Sequence, residues 1–363
     1  MLLALMAATL AQGQPVFSVT NLGNLSVNSI AYSAAGAQQT GAQAGAALLW
    51  SGSAATAVNL TPAGAFSASA FVTNGTQQAG TANFTPANGN EHAALWSGSA
   101  ASFTDLHPAN GATYSAVYAL SSTQQGGAAF YNGLSHAVVW NGTAASVADL
   151  HPAGASESAV TAMSGSLQAG YAMFAGMLHA GTWSGTAGSF VDLHPAGATT
   201  SIAYGTDDSR QAGVAYFGSL PHAALWNGSP ATFLDLDPGT PGGSVLRGLA
   251  GTLQFGVVLG PTDFHAALWQ GDAASFYDLQ SAISGSLGAE FSSSQLLGGW
   301  FDGATLYLVG EAFDPLTQTS TAILLTSTSA IPEPSTSILI GGGLALLTAF
   351  LGHRRRAIPP FLP

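Results

Sequence analysis

A tryptophan recurs along this chain at a nearly constant interval, and no other feature restricts the fold as much. Consecutive members are 46, 44, 43, 43 and 43 residues apart. Each closes a short apolar run such as His92-Ala-Ala-Leu-Trp96, a Gln-x-Gly step precedes the run, and an Asp-Leu or Asn-Leu pair follows about nine residues later. The six tryptophans are Trp50, Trp96, Trp140, Trp183, Trp226 and Trp269. Such self-similarity predicts a repeat fold in which each unit buries its hydrophobic face against the next.

Within one unit the pattern indicates four short β-strands joined by turns rich in Gly, Ser, Pro and Asn. In the unit of Trp183 we expect strands at Ser158–Met163, Ala169–Phe174, His179–Trp183 and Ser189–Leu193. Four strands in about 43 residues is the size of one β-propeller blade. Only 6% of the residues are charged and 46 are Gly, as expected when both faces of every sheet are buried against neighbouring sheets. We therefore predict an all-β propeller.

The two ends of the array predict the number of blades. Phe17–Leu22 matches the Asp-Leu strand but has no tryptophan run before it, and Thr321–Leu325 matches the tryptophan run but has no Asp-Leu strand after it. Pairing these segments makes a closing sheet whose outer strand comes from the N-terminal part, so the ring has no open edge. We expect seven four-stranded blades within residues 16–327. Six or eight blades are the alternatives, and a β-solenoid is the rival fold.

The first residues of the chain look like a targeting segment. Leu2–Leu10 is a short apolar run, and Thr9-Leu10-Ala11 offers a small-residue cleavage pattern. We predict that residues 1–14 are a secretory signal peptide whose charged start is missing.

The last residues combine a Pro-Glu-Pro motif, an apolar segment and a basic cluster. Residues 336–352 are apolar and rich in Gly, Ala and Leu, and about seventeen residues is the lower limit for a transmembrane helix. Arginines directly after such a span stay cytoplasmic, which would place the repeat domain outside. The motif is Pro332, Glu333 and Pro334, and the cluster is Arg354, Arg355 and Arg356.

This arrangement resembles the PEP-CTERM sorting signal of Gram-negative bacteria over residues 331–356, since all three parts occur in order. The resemblance implies an exosortase as a partner that processes the chain near 332–334. It also implies a transient stay in the inner membrane and release to a cell surface or matrix that contains exopolysaccharide. An ordinary anchor that is never cleaved is the alternative. Residues 357–363 form a short tail that such signals usually lack.

The repeats also resemble the extracellular HAF repeat family, in which a His-Ala-Phe step precedes a tryptophan. The resemblance spans most of residues 16–326, and this chain departs from it at the third position. That position holds Ala94, Val138, Gly181, Ala224 or Ala267 instead of Phe. The resemblance implies secretion and a repeat fold, but no defined activity.

Charge and cysteine content exclude several classes of protein. The chain has no Lys, only Arg210 and Arg247 precede the C-terminal basic cluster, and 17 acidic residues oppose them. Nucleic acid requires a cationic surface that displaces counterions, so we expect no nucleic-acid partner. Docking on anionic lipid headgroups is disfavoured for the same reason. Because Cys is absent, the stability of the fold has to come from a packed core.

Histidines and aspartates recur at fixed positions of the repeat, and we interpret them as structural. A group present in every unit usually does the same job in every unit, here an imidazole hydrogen bond to an Asp or a neighbouring turn. The alternative is a ring of metal ligands at the propeller axis, although the spacing does not match a local zinc site. The repeated positions are His92, His136, His179, His222 and His265 before the tryptophans; Asp105, Asp149, Asp192, Asp235 and Asp278 after them; and His107, His151 and His194 after the Asp-Leu pairs. We expect neither a metal nor a cofactor.

The repeated tryptophans are expected in the core, with sugar stacking as the alternative. If the protein binds a sugar, aromatic residues outside the repeat pattern are the better candidates. These are Tyr131, Phe217, Phe264 and Trp300.

A catalytic site should stand out as an irregularity in the repeat. Asp207, Asp208 and Arg210 form the most irregular charged cluster. The longer last unit contains Glu290, Asp302, Glu311 and Asp314. Paired carboxylates could serve glycoside hydrolysis or hold Ca²⁺. The sequence contains no Asp-x-Asp-x-Asp-Gly loop, nucleophile elbow or zinc-protease motif, so we interpret these acids as solvated loop residues and predict no catalytic residue.

Three hypotheses about function follow from these patterns. The first is a non-catalytic surface or matrix protein that helps to organise exopolysaccharide or biofilm. The second is a module that binds a glycan or protein on one face, and the third is a polysaccharide-active enzyme. A structural role predicts no concave pocket with unrepeated polar groups, a binding module predicts clustered aromatics, and an enzyme predicts close carboxylates in the central channel.

Overall fold

The chain, described by a computed structural model over residues 16–85, 90–287 and 291–327, forms seven four-stranded antiparallel sheets there. Each sheet is one blade, and its strands follow one another in chain order. Blade 1 is β2 (Ser29–Ala35), β3 (Gln38–Gln43), β4 (Ala46–Trp50) and β5 (Val58–Asn59). Blade 2 is β6 (Ser67–Thr73), β7 (Gln78–Asn83), β8 (Glu91–Trp96) and β9 (Thr104–Asp105). Blade 3 is β10 (Ala112–Leu120), β11 (Gln125–Tyr131), β12 (Leu134–Trp140) and β13 (Ala148–Asp149).

The remaining blades repeat this pattern, and only the last one changes the origin of its outer strand. Blade 4 is β14 (Glu157–Ser164), β15 (Leu167–Phe174), β16 (Met177–Trp183) and β17 (Val191–Asp192). Blade 5 is β18 (Thr200–Thr206), β19 (Gln211–Phe217), β20 (Leu220–Trp226) and β21 (Leu234–Asp235). Blade 6 is β22 (Ser244–Ala250), β23 (Leu253–Leu259), β24 (Phe264–Trp269) and β25 (Tyr277–Asp278). Blade 7 is β26 (Ser293–Phe301), β27 (Leu306–Asp314), β28 (Thr319–Ser327) and β1 (Ser18–Asn21).

The blades close into a ring, which confirms the predicted seven-bladed propeller. The first strand of each blade contacts the first strand of the next, and β26 of the last blade contacts β2 of the first. The N-terminal strand β1 pairs antiparallel with β28, with Val19 opposite Leu325 and Thr20 opposite Leu324. The closing sheet therefore has the composite origin that its two incomplete sequence segments predict.

The fourth strand of each blade is shorter than the sequence pattern suggests. In blade 4 the expected strand Ser189–Leu193 is only Val191–Asp192, and Ser189 ends a short 3-10 turn instead. The same turn precedes the fourth strand in six blades, at Ala54–Thr56, Ala100–Ser102, Ala144–Ser146, Ala187–Ser189, Pro230–Thr232 and Ala273–Ser275. A two-residue outer strand offers few unpaired backbone groups to another chain, which limits edge-to-edge association.

The tryptophans fill the spaces between blades. Trp96 packs with Leu49 and Leu60 of the preceding blade, and Trp140 packs with Leu95 and Leu106. All six repeated tryptophans are buried, and each belongs to a cluster shared with the blade before it. The hydrophobic core is thus a set of layers between sheets, as face-to-face blade packing requires.

One short helix, α1 (Gln280–Leu287), follows blade 6 and buries Gln280 and Ile283. Across residues 16–85, 90–287 and 291–327, no helix has the length and apolar character that crossing a membrane requires. The signal peptide predicted at 1–14, the sorting signal at 331–356 with its span at 336–352, and the tail at 357–363 lie outside the described residues.

Candidate functional site

The repeated histidines of the third strands bind the repeated aspartates of the fourth strands. His136 Nδ1 lies 2.8 Å from Asp149 Oδ2, and the other oxygen of Asp149 accepts the backbone N–H of His151 at 2.8 Å. The same His–Asp contact joins His92 to Asp105, His179 to Asp192, His222 to Asp235 and His265 to Asp278. These pairs lie on outer strands, so the alternative of a metal ring at the propeller axis is wrong in its placement.

A second histidine in three of the blades connects its own blade to the next one. The ring of His151 stacks on that of His136 with centroids 4.0 Å apart, and its Nδ1 lies 2.8 Å from Ser158 Oγ on the next innermost strand. Ser158 Oγ also accepts the buried backbone N–H of Ala137 at 2.8 Å. Because the Ala155 carbonyl oxygen can only accept, the Nε2–H of His151 is the donor in that contact at 2.9 Å. In a neutral ring with this tautomer, Nδ1 accepts the hydroxyl proton of Ser158.

This arrangement favours the neutral imidazole. Burial lowers the pKa of His151, and the neighbouring His136 lowers it further. The hydrogen bond to the Ala155 carbonyl raises the pKa, but it does not offset the lowering. The pKa values of His107 and His194 are also lowered, chiefly by burial and then by the histidine stacked on each. Among the described residues no group of His, Asp and Glu side chains has the arrangement of a metal site. The His and Asp repeats therefore form an interblade hydrogen-bond network.

The four aromatic residues predicted as ligand contacts do not come together. Tyr131 packs edge-on against His136 with ring centroids 5.3 Å apart, and Phe217 packs in the same way against His222 at 5.2 Å. Phe264 begins a third strand in blade 6, and Trp300, which is 44% exposed, lies on the innermost strand of blade 7. They belong to four different blades, and ring contacts among the described residues pair none of them with another.

The acidic residues singled out by sequence mostly brace turns. Arg210 Nε donates to Asp207 Oδ2 at 2.9 Å, and Arg210 also donates to the Gly251 carbonyl at 2.7 Å. Asp302 and Asp314 accept backbone N–H groups of their own turns, which lower both carboxyl pKa values. Glu311 instead accepts a hydrogen bond from Gln295 at 2.6 Å. Glu290 lies outside the described residues.

A β-bulge interrupts the innermost strand of every blade at the same place. In blade 3 the pairing moves from Val117–Gly127 to Ala119–Gly126, so Tyr118 has no partner on the second strand. The glycine of the Gln-x-Gly step lies opposite this bulge on the second strand. The position requires glycine, because a Cβ on Gly127 would fall 1.9 Å from the Ala116 carbonyl oxygen. The seven bulged residues are Tyr32, Phe71, Tyr118, Thr161, Tyr204, Arg247 and Leu297. Bulges re-aim side chains and are frequent beside functional sites.

The bulged residues line the central channel. All seven border one cavity of about 220 Å³ near the channel mouth where the innermost strands end. Their side chains meet around the ring: Tyr32 and Phe71 have centroids 5.2 Å apart, and Phe71 and Tyr118 are 5.8 Å apart. Farther around the ring, in the adjacent blades 5 and 6, Arg247 Cζ lies 5.0 Å from the centre of the Tyr204 ring, a cation–π distance.

The phenols of the channel are half-buried and remain protonated. Burial raises the pKa of Tyr32, and the charges of Glu311 and Glu91 raise it further. Burial likewise raises the pKa of Tyr118 and of Tyr204. At neutral pH the channel therefore presents hydroxyl donors and aromatic faces together.

A second cavity has different chemistry. It has a volume of about 510 Å³ and lies between the last blade and the first two, on the side where the innermost strands begin. Its lining includes Glu311 together with the amide side chains of Asn28, Gln43 and Gln318. This cavity therefore contains a carboxylate, whereas the cavity in the central channel contains the Arg247 guanidinium.

Sequence reasoning missed the bulged ring, although a signal for it exists. Each bulged residue of the first six blades lies seven positions before the repeated Gln, as Tyr118 does before Gln125 and Arg247 before Gln254. At this position the residue type changes from blade to blade while its surroundings repeat. A position that varies within a regular array is a candidate for ligand contact, whereas a bulge itself is invisible to a period-two strand pattern.

Comparison with known proteins supports the fold alone. No protein-family model matches the chain, and no curated protein matches its sequence. A puromycin hydrolase mutant complexed with PGG is similar in structure, with a TM-score of 0.55 and 12% identity over 85% of this chain and 54% of that one. The β-propeller domain of the Trilobed protease from Pyrococcus furiosus is similar with a TM-score of 0.51 and 8% identity, over 89% of this chain and 100% of that one. TolB from Acinetobacter baumannii has a TM-score of 0.45 and 12% identity, over 69% of this chain and 63% of TolB.

Proposed function

We propose that this chain is an exported surface or matrix protein whose propeller binds a carbohydrate in its central channel. The observation that carries the proposal is the ring of seven bulged residues. Its members border one cavity, and at this structurally repeated position Tyr occurs in three blades while the other four have Phe, Thr, Arg and Leu. A scaffold role would be met by the same residue in each blade, as the His–Asp pairs illustrate.

The chemistry of the ring suits a sugar. Ligand sites combine apolar and aromatic surface with a few placed polar groups. Here Phe71 and the tyrosine faces supply the surface, while the phenols of Tyr32, Tyr118 and Tyr204 supply hydroxyl groups that can donate or accept. A pyranose needs both, because its C–H faces are apolar and its rim carries hydroxyls.

Binding accounts for this cavity better than hydrolysis does. Glycoside hydrolysis normally requires two carboxyl groups that flank the scissile bond. None of the described residues that line the cavity is Asp or Glu. Glu311 lines a different cavity and accepts a hydrogen bond from Gln295.

The proposed cellular localisation follows from the sequence at the two ends of the chain. A signal peptide at 1–14 and the PEP-CTERM resemblance at 331–356 support export, processing by an exosortase and passage through the inner membrane to a matrix of exopolysaccharide. A strongly acidic, lysine-free chain agrees with a partner other than nucleic acid or anionic lipid. Cell fractionation of the native host tests this localisation by comparing the wild-type chain with a variant in which Pro332, Glu333 and Pro334 are replaced by Ala. Loss of surface display is the expected result, and unchanged display would contradict it.

Calorimetric titration of the full chain with a panel of neutral and acidic oligosaccharides tests the binding. We expect saturable binding to one class, and about a tenfold or greater loss on Tyr118→Ala, since a buried aromatic contact contributes on the order of 1–3 kcal/mol. Tyr131→Ala is the matched control, because Tyr131 lies on a second strand outside the channel. Equal weakening by both variants, or no binding to any sugar, would contradict the proposal.

A further inference from the structure

Arg247 is the bulged residue that differs most from the rest of the ring. It occupies in blade 6 the place that Tyr204 occupies in blade 5, and its guanidinium lies over the Tyr204 ring. Its Nε atom is buried and has no hydrogen-bond partner among the described residues. A buried donor without a partner is uncommon and calls for an explanation such as a bound group.

The charge of Arg247 is unbalanced inside an acidic protein. The full chain has a formal net charge of -12 at pH 7. Arg210, the other arginine of the described part, pairs with Asp207 and the Gly251 carbonyl. Arg247 forms no ion pair with a described carboxylate. Removing a cation from water without a counter-charge is unfavourable, so an anionic ligand group would stabilise this arrangement.

The size of the cavity and the charges around it narrow the ligand further. At about 220 Å³ the cavity is smaller than the roughly 300–1,000 Å³ of sites for drug-sized molecules, so it suits one sugar unit and not a longer segment. Among the described residues that line this cavity, Arg247 is the one charged side chain. Its attraction would orient an acidic unit with its anion toward the guanidinium.

We propose that the channel binds one singly charged acidic sugar unit, such as a terminal uronic acid, with its anionic group against the Arg247 guanidinium and its ring among the bulged tyrosines. This inference rests on the proposed carbohydrate binding. It adds the substrate class and the residue that selects it. The carboxylate of a uronic acid and the sulfate ester of a sulfated sugar share this chemistry, and the experiment separates the two.

The test is calorimetric titration of the full chain with three monosaccharide probes: galacturonic acid, galactose and galactose with one sulfate ester. We expect the uronic acid to bind at least about tenfold more tightly than galactose, the range for a hydrogen bond to a charged group. The preference should decrease as salt screens the pair. Tighter binding of the sulfated probe would assign the anion as a sulfate and leave the role of Arg247 intact.

Three variants decide the role of Arg247. Arg247→Gln should remove the preference for the acidic probe while neutral binding persists, and Arg247→Lys, which keeps the charge, should retain part of the preference. Arg210→Gln changes the net charge as Arg247→Gln does but lies outside the lining of the cavity, and it should leave the preference unchanged. A thermal melt of each variant establishes that it is folded.

The outcomes separate this inference from the function on which it rests. Equal binding of the neutral and acidic probes, or a preference that survives Arg247→Gln, would overturn the inference and leave carbohydrate binding in place. Failure of the folded wild-type chain to bind all three probes would overturn both.

Discussion

The serine of the innermost strand connects neighbouring blades through a single hydroxyl. Ser158 accepts the backbone N–H of Ala137 from the preceding blade and donates to His151. Between blades 1 and 2 the chain solves the same problem differently. Ala68 stands at the serine position, and Thr61 at the histidine position accepts the backbone N–H of Ala47 at 3.2 Å. The backbone N–H needs a hydrogen-bond acceptor, and a hydroxyl side chain at either of these two repeat positions can supply it.

The two alternative acceptors for this N–H lead to a prediction about the stability of Ser158 variants. Ser158→Ala should lower the free energy of unfolding by about 1–3 kcal/mol, because the buried N–H of Ala137 loses its acceptor. Adding His151→Thr copies the arrangement between blades 1 and 2 and should recover part of the loss. Denaturant unfolding of both variants measures the difference. A double variant that is less stable than Ser158→Ala would show that Thr cannot replace the serine hydroxyl here.

The stacked histidines predict how stability depends on pH. Folding lowers the pKa values of His107, His151 and His194, chiefly through burial. Below the unfolded value of about 6.5 the unfolded chain therefore binds more protons than the folded one. Stability from these groups is complete above about pH 6.5 and is lost as the pH falls below it.

Glutamine replacements isolate this contribution, because Gln280, after blade 6, already occupies the same repeat position and accepts a hydrogen bond from Ser294 of blade 7. A variant with all three histidines changed to Gln should have a melting temperature that falls less between pH 7.5 and pH 5 than that of the wild type. Thermal melts at both pH values measure it. Parallel curves for the two proteins would contradict a role for histidine protonation.

At the scale of elements, the glycine of each Gln-x-Gly step is a consequence of the bulge opposite it. A Cβ on Gly170 would fall 2.0 Å from the Ala159 carbonyl oxygen, whereas a Cβ on Gly188 would meet no atom within 4 Å. Gly170→Ala should therefore destabilise the fold by more than about 2 kcal/mol through overpacking, and Gly188→Ala should change stability little. Chemical denaturation of the matched pair tests this. Similar stabilities would mean that the bulge can relax.

How much the sequence predicts depends on whether a feature repeats. The period of Trp96 and Trp140 predicts the blades, and the incomplete segments Phe17–Leu22 and Thr321–Leu325 predict their number and closure. The channel could not be predicted in the same way, because one extra residue such as Tyr118 leaves the strand pattern almost unchanged. Aromatic residues outside the motif, such as Tyr131, pack within single blades instead.

At the scale of the whole molecule, the ring depends on a four-residue strand. β1 pairs with β28 through Ser18–Asn21, and side chains add to this pairing. Thr321 Oγ1 donates to Asn21 Oδ1 at 2.8 Å, and Thr319 Oγ1 donates to the Leu25 carbonyl at 3.0 Å. Every other blade is joined by turns of the chain, so separation of β1 is the opening that disrupts the fewest contacts.

A disulfide across this closure tests whether the ring opens there first. Ser18 lies opposite Thr326, both are at least partly exposed, and the chain has no other cysteine to compete. Oxidised Ser18→Cys/Thr326→Cys should raise the melting temperature by several degrees, because a bridge over such a long loop constrains the open state by up to about 5 kcal/mol. The control Glu157→Cys/Met173→Cys bridges two partly exposed, opposed residues within blade 4 and leaves the closure free. Because that bridge does not hold β1, it should raise the melting temperature less; equal gains would place the first opening elsewhere in the ring.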